Sequence, residues 1–149
     1  MNKKYRPVTI LIAEDDPDDR LLTKDALAES RLVNDLHFVE DGLELLDYLH
    51  QRGAYANPQT APRPGLILLD LNMPRMDGRE ALAEIKVDPD LRRIPIVVLT
   101  TSKAEEDILK SYDLGVGGFV TKPVSFDGLV EVIKAIGRYW FQIVELPPS

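Results

Sequence analysis

The run Leu66-Ile-Leu-Leu69, preceded by Pro64-Gly65 and closed by Asp70, decides the fold. Consecutive apolar residues without polar alternation describe a strand buried on both faces, the mark of a parallel sheet. Ile94-Pro-Ile-Val-Val-Leu99 has the same character and Val8–Ala13 is a third such run, while Leu36–Val39 and Gly118–Thr121 complete five candidate strands. Helical patterns lie between them. Leu129, Val132, Ile133 and Ile136 follow i, i+3, i+4, i+7 spacing; Leu45, Leu46 and Leu49 form another stripe, Ala81, Leu82 and Ile85 a third, and Ile108, Leu109 and Tyr112 a fourth. A further helix starts where Asp16 can cap, Pro17 suits the first helical position and Asp18 and Asp19 face the positive end of the dipole; it runs to about Ser30. Strand and helix alternate, so the expected class is α/β with five helices around a five-stranded parallel sheet.

The chain of 149 residues is of single-domain size, with no room for a second output domain. Acids outnumber bases 25 to 18, a formal charge of −7 that argues against nucleic acid as a partner. With no Cys there is no disulfide framework, thiolate nucleophile or Cys-ligated zinc. No apolar run approaches the roughly 18 residues of a spanning helix, and the one after the basic start ends at Glu14, too short for a secretion signal. A soluble, cytoplasmic protein is the expectation. The segment Arg52–Gly65, with three prolines, two glycines and no apolar period, reads as an excursion before the third strand.

In a parallel α/β sheet ligands bind beyond the carboxyl ends of the strands. Here those ends carry Glu14-Asp15-Asp16, Asp70, Thr100-Thr101-Ser102 and Lys122-Pro123. Singly each has a plain structural reading, as a cap, a strand end or a solvated charge. Together, four strand ends converge on one edge. Two carboxylates brought within about 4 Å repel by roughly 4 kcal/mol at an effective dielectric near 20, so the cluster calls for a cation or a raised pKa. Oxygen ligands without nearby His or Cys suit a hard ion, Mg²⁺ or Mn²⁺. A carboxylate, such an ion, a Lys ammonium and a Thr hydroxyl suit phosphoryl transfer, with an acyl phosphate on Asp70 as product.

At these residues the sequence resembles the receiver domains of two-component response regulators. The resemblance is carried by Ile10-Leu-Ile-Ala-Glu-Asp-Asp-Pro17, Leu68-Leu-Asp-Leu-Asn-Met-Pro-Arg-Met-Asp-Gly78, Ile96-Val-Val-Leu-Thr-Thr-Ser102 and Gly118-Phe-Val-Thr-Lys-Pro123, and runs from about residue 8 to 138. It implies a doubly wound, flavodoxin-like sheet of order 2-1-3-4-5. It makes Asp70 the phosphoacceptor for a sensor histidine kinase, with Mg²⁺ bound by Asp15, Asp70 and the Asn72 carbonyl and Glu14 helping through water. Thr100 and Lys122 would contact the phosphoryl group, and Phe119 matches the aromatic switch position that turns inward as Thr100 shifts. Glu14 replaces the commoner Asp at the first acidic position. Thr101 stands where many receivers carry Ala, which predicts restricted access for small donors and water.

The long excursion and the continuation Arg138-Tyr-Trp-Phe-Gln-Ile-Val-Glu-Leu-Pro-Pro-Ser149 resemble single-domain regulators that partner bacterial phytochrome histidine kinases. The chain thus divides into a receiver over 1–138 and an apolar extension over 139–149. Tyr139, Trp140, Phe141, Ile143 and Val144 either fold back on the core or meet a partner; a homodimer arm is the favoured reading. That dimer face would add the helix at about 103–114, strand five and the last helix. Output then passes through dimerisation, a downstream protein or a phosphorelay, without a separate enzymatic activity. Two rival readings are a pseudo-receiver that is never phosphorylated, disfavoured because Asp70 and Lys122 are both present, and a Mg²⁺-dependent phosphatase with an Asp nucleophile. The latter would place Asp-x-Asp after its first strand and needs a cap domain. His37 and His50 sit in different elements without zinc-site spacing and read as structural or exposed.

Overall fold

The computed structural model describes residues 9–29, 35–71, 73, 75–100, 118–121 and 126–136. Five parallel strands form the sheet: β1 (Thr9–Ala13), β2 (Asp35–Val39), β3 (Leu66–Asp70), β4 (Ile96–Thr100) and β5 (Gly118–Thr121), in the order β2-β1-β3-β4-β5. Four helices are described: α1 (Pro17–Glu29), α2 (Gly42–Leu49), α3 (Gly78–Val87) and α4 (Phe126–Ile136). The fifth expected helix, at about 103–114, lies outside the described residues.

Strand periodicity divides the core into two layers. Successive side chains point to opposite faces, so Leu11, Ala13, Ile67, Leu69, Ile96 and Val98 pack with Leu45 and Leu46 of α2 and Ala81, Leu82 and Ile85 of α3. Their neighbours Ile10, Ile12, Leu66, Leu68, Val97 and Leu99 pack on the other face with Ala26 and Leu27 of α1 and Val130 of α4. Every residue of β3 is buried, as the Leu66–Leu69 run requires of a central strand covered on both sides. Val130 falls outside the stripe expected for the last helix, yet it is buried between α4 and the sheet.

One strand boundary needs correction. The run beginning at Ile94 starts as a strand only at Ile96. The Ile94 N–H is taken by Leu91 O at 3.0 Å, closing a short 3-10 turn over Leu91–Arg93, and Pro95 has no N–H to give. Pro95 still serves the sheet, because its carbonyl accepts from Ile67 N at 3.0 Å.

The excursion is more ordered than its composition suggests. It holds a 3-10 turn at Gly53–Tyr55 and buries Ala61 in the α2–α3 layer. The hydroxyl of buried Tyr48, on α2, donates to Pro62 O at 2.8 Å, and the Tyr55 ring lies 5.2 Å from the Tyr48 ring. Arg63 reaches the Asp90 carboxylate at 2.8 Å and its carbonyl at 3.0 Å. His37 contacts Asp35 at 3.0 Å and its ring lies 5.7 Å from the Tyr48 ring, while exposed His50 is the C-cap of α2 through its backbone N–H.

Candidate metal centre and phosphoacceptor site

The carboxyl ends of β1 and β3 meet at the middle of the sheet, and their acids meet with them. Ligand oxygens of Glu14, Asp15 and Asp70 all lie within 4.8 Å of one another. Glu14 and Asp70 are buried, at 3% and 6% exposure, while Asp15 is half-buried, so the cluster opens to solvent along one side. At that spacing each ionised pair repels by about 3 kcal/mol at an effective dielectric near 20. Three carboxylates on one open edge are a donor set of hard oxygens, the chemistry that fits Mg²⁺ or Mn²⁺.

Local backbone explains how the acids are presented. The Glu14 N–H donates to Val39 O at 2.9 Å, carrying the β1–β2 ladder one residue past the strand. Its carboxylate accepts from Asp16 N at 3.2 Å. Asp16 turns away from the cluster to cap α1, accepting from Asp18 N at 2.8 Å and Asp19 N at 3.4 Å, as expected of it. On β3, the backbone of Asp70 and Leu71 is pressed by the start of α3: a Cβ on Gly78 would stand 2.6 Å from Asp70 O and 2.8 Å from Leu71 Cα. Glycine is required there by close approach. Gly78 N also donates to Leu71 O at 2.9 Å, closing the loop between β3 and α3.

Of the expected site residues, Glu14, Asp15 and Asp70 are brought together. Thr100 ends β4 beside β3, where Leu99 is the partner of Asp70, and Phe119 lies in β5 opposite Val98; for these two only the backbone is described. Asn72, Thr101, Lys122 and the tail residues Tyr139, Trp140, Phe141, Ile143 and Val144 lie outside the described residues.

Two residues, one after β2 and one in the loop that follows Asp70, carried no role in the sequence reading. Asp41 is buried, with its side chain 7% exposed; it caps α2 by accepting from Glu44 N at 2.8 Å, and its other oxygen takes Arg75 Nε at 2.8 Å and Nη2 at 2.6 Å. The Arg75 backbone is left-handed, with φ of 63°. The only sequence signal is an Asp at a helix start, which predicts the cap but not the arginine.

Fold and site together define a doubly wound, flavodoxin-like α/β protein with an acidic cluster at the strand ends. The chain belongs to the response regulator receiver domain family, whose model matches residues 10–134. It is 45% identical to response regulator Rcp1 of Synechocystis over 143 residues, 96% of this chain and 95% of that protein. It is also similar to the crystal structure of the phosphorylated cyanobacterial phytochrome response regulator RcpA, with 47% identity and a TM-score of 0.84 over 96% of this chain and 100% of that one. The Mn²⁺-bound form of Rcp1 matches with 44% identity and a TM-score of 0.81, covering 95% and 100% of the two chains. No helix among the described residues is long and apolar enough to cross a membrane.

Proposed function

We propose that this chain is a single-domain response regulator that accepts a phosphoryl group on Asp70 from a sensor histidine kinase. The observation that carries the reading is the cluster of Glu14, Asp15 and Asp70 at the carboxyl ends of β1 and β3. In the proposed step an Asp70 carboxylate oxygen attacks phosphorus. A P–O bond forms as the P–N bond of the kinase's phosphohistidine breaks, and the bonding pair leaves on the imidazole nitrogen. Asp15, Asp70 and the Asn72 carbonyl would hold Mg²⁺ or Mn²⁺, with Glu14 helping through water. When bound, the ion neutralises charge on the transferred group and on the acids around it. Thr100 and Lys122 contact the phosphoryl oxygens, and Thr101 narrows the approach for small donors and water.

The readout is a surface change: Thr100 moves toward the phosphate and Phe119 turns inward. The extension over residues 139–149, with Tyr139, Trp140, Phe141, Ile143 and Val144, forms a homodimer arm, and output passes to a downstream protein or phosphorelay without an enzymatic activity of its own. Similarity to a cyanobacterial phytochrome response regulator supports a phytochrome-type kinase as donor, and a cytoplasmic setting belongs to the same reading.

The test is intact mass after incubation with acetyl phosphate and Mg²⁺. The expected result is a phosphoryl-sized gain that is absent with EDTA and in Asp70→Asn. If small donors fail, a phosphorylated phytochrome kinase replaces acetyl phosphate. Failure of that donor too, with the fold intact, would overturn the reading in favour of a receiver that is never phosphorylated.

A further inference from the structure

Among the described residues, the loop from β3 to α3 is fastened to the start of α2 at three points. Gly42 N donates to Met76 O at 2.7 Å, and a Cβ on Gly42 would stand 2.7 Å from Met76 Cγ. Met76 in turn packs against the α2–α3 core layer. The third point is the only charged one: the Arg75 guanidinium lies on the buried carboxylate of Asp41 with both Nε and Nη2. Non-glycine residues rarely hold φ near +60°, and such conformations persist where the surroundings over-determine them. Here the ion pair and the Met76 contacts do so. The same loop closes through Gly78, whose Cα faces the Asp70 and Leu71 backbone at a distance no side chain allows.

We infer that the Asp41–Arg75 pair is a latch that positions Asp70 within the acidic cluster, with Arg75 a positioning residue for cation binding and phosphoryl acceptance. This rests on the proposed role of the cluster as a divalent-cation site. The latch ties the end of β2 and the start of α2 to the loop that returns onto Asp70, so the separation of the Asp70 carboxylate from Glu14 and Asp15 is set from both sides. Asn72, the proposed carbonyl ligand, falls within the same stretch of sequence.

Charge and position make opposite predictions, which makes the inference testable. Arg75 is a cation in the loop leaving the cluster, so removing it strengthens binding of a divalent ion if only through-space charge matters. If Arg75 positions the cluster, removing it weakens binding. The chosen variant is Arg75→Gly, because glycine adopts the left-handed backbone without strain and preserves the fold. Mn²⁺ alone is the probe, titrated by the EPR signal of the free ion well below the melting temperature, alongside the rate of phosphoryl gain from acetyl phosphate. The expected result is a Kd raised by roughly tenfold, the scale found for groups that orient metal ligands, with a matching fall in rate and partial recovery in Arg75→Lys. An unchanged or lowered Kd in Arg75→Gly, with wild type binding Mn²⁺ in an Asp15-dependent way, overturns the latch alone. Absence of Asp15-dependent binding in the wild type overturns both the latch and the cation site on which it rests.

Discussion

Tyr48 shows how one residue couples an apolar core to a polar segment. Its ring is buried at 2% exposure while its hydroxyl satisfies the Pro62 carbonyl at 2.8 Å. Burial first, and the Asp35 carboxylate second, push its phenol up to about 12. In the unfolded chain the phenol titrates near 10. Between those values the unfolded state has lost a proton that the native state keeps, so stability falls as pH rises. The contribution is fully present below pH 10 and declines by about 1.4 kcal/mol per pH unit in that window. Tyr55 adds to the same trend, because burial and its hydrogen bond with Glu44 also raise its phenol. Tyr48→Phe should lose about 1 kcal/mol at neutral pH, from the unpaired Pro62 carbonyl, and show a shallower decline above pH 10. Urea midpoints from pH 8 to 12 measure both, and parallel curves for the two proteins would contradict the assignment.

At the scale of elements, α3 is held at its start by a reciprocal cap. Asp77 accepts from Glu80 N at 3.0 Å, and the Glu80 carboxylate accepts from Asp77 N at 3.3 Å. The Arg79–Asp77 pair at 3.2 Å is partly exposed and adds little. Asp77→Ala should therefore cost about 1 kcal/mol in urea denaturation, with Asn at the same position recovering most of it; equal losses for both would mean that charge, not capping, is what Asp77 supplies. Of such local devices the Asp16 cap was legible in the sequence, as were the strands β1, β3 and β4, whose apolar runs need both faces covered; the Asp77 cap was not read, because Asp77-Gly78 entered only as part of the receiver motif. The start of β4 was misplaced by two residues because Ile94 and Pro95 share its apolarity while their hydrogen bonds belong to the preceding turn and the neighbouring strand. The packing of the excursion and the Asp41–Arg75 pair were not legible. The latter joins residues 34 positions apart, and neither a left-handed arginine nor its partner leaves a periodic trace.

For the whole molecule, an ion bound at the acidic cluster would make stability depend on the composition of the solution. The chain carries a formal charge of −7, and three of its carboxylates are gathered within 4.8 Å at the centre of the sheet edge. A divalent ion that binds the native cluster and not the unfolded chain stabilises the fold by RT ln(1 + [L]/Kd), about 2.7 kcal/mol at a hundredfold excess over Kd. For a domain of this length that corresponds to a rise in melting temperature of roughly 5 to 10 °C. General screening of the net charge also stabilises, but it follows ionic strength and saturates within tenths of molar salt, where the Debye length falls below about 10 Å. The two effects separate when MgCl₂ is compared with NaCl at equal ionic strength. Magnesium should give the larger rise at millimolar concentration, and Asp15→Asn should remove most of the difference while leaving the NaCl response intact. Equal responses to the two salts in the wild type would assign the stabilisation to screening and leave the cluster without a resident ion.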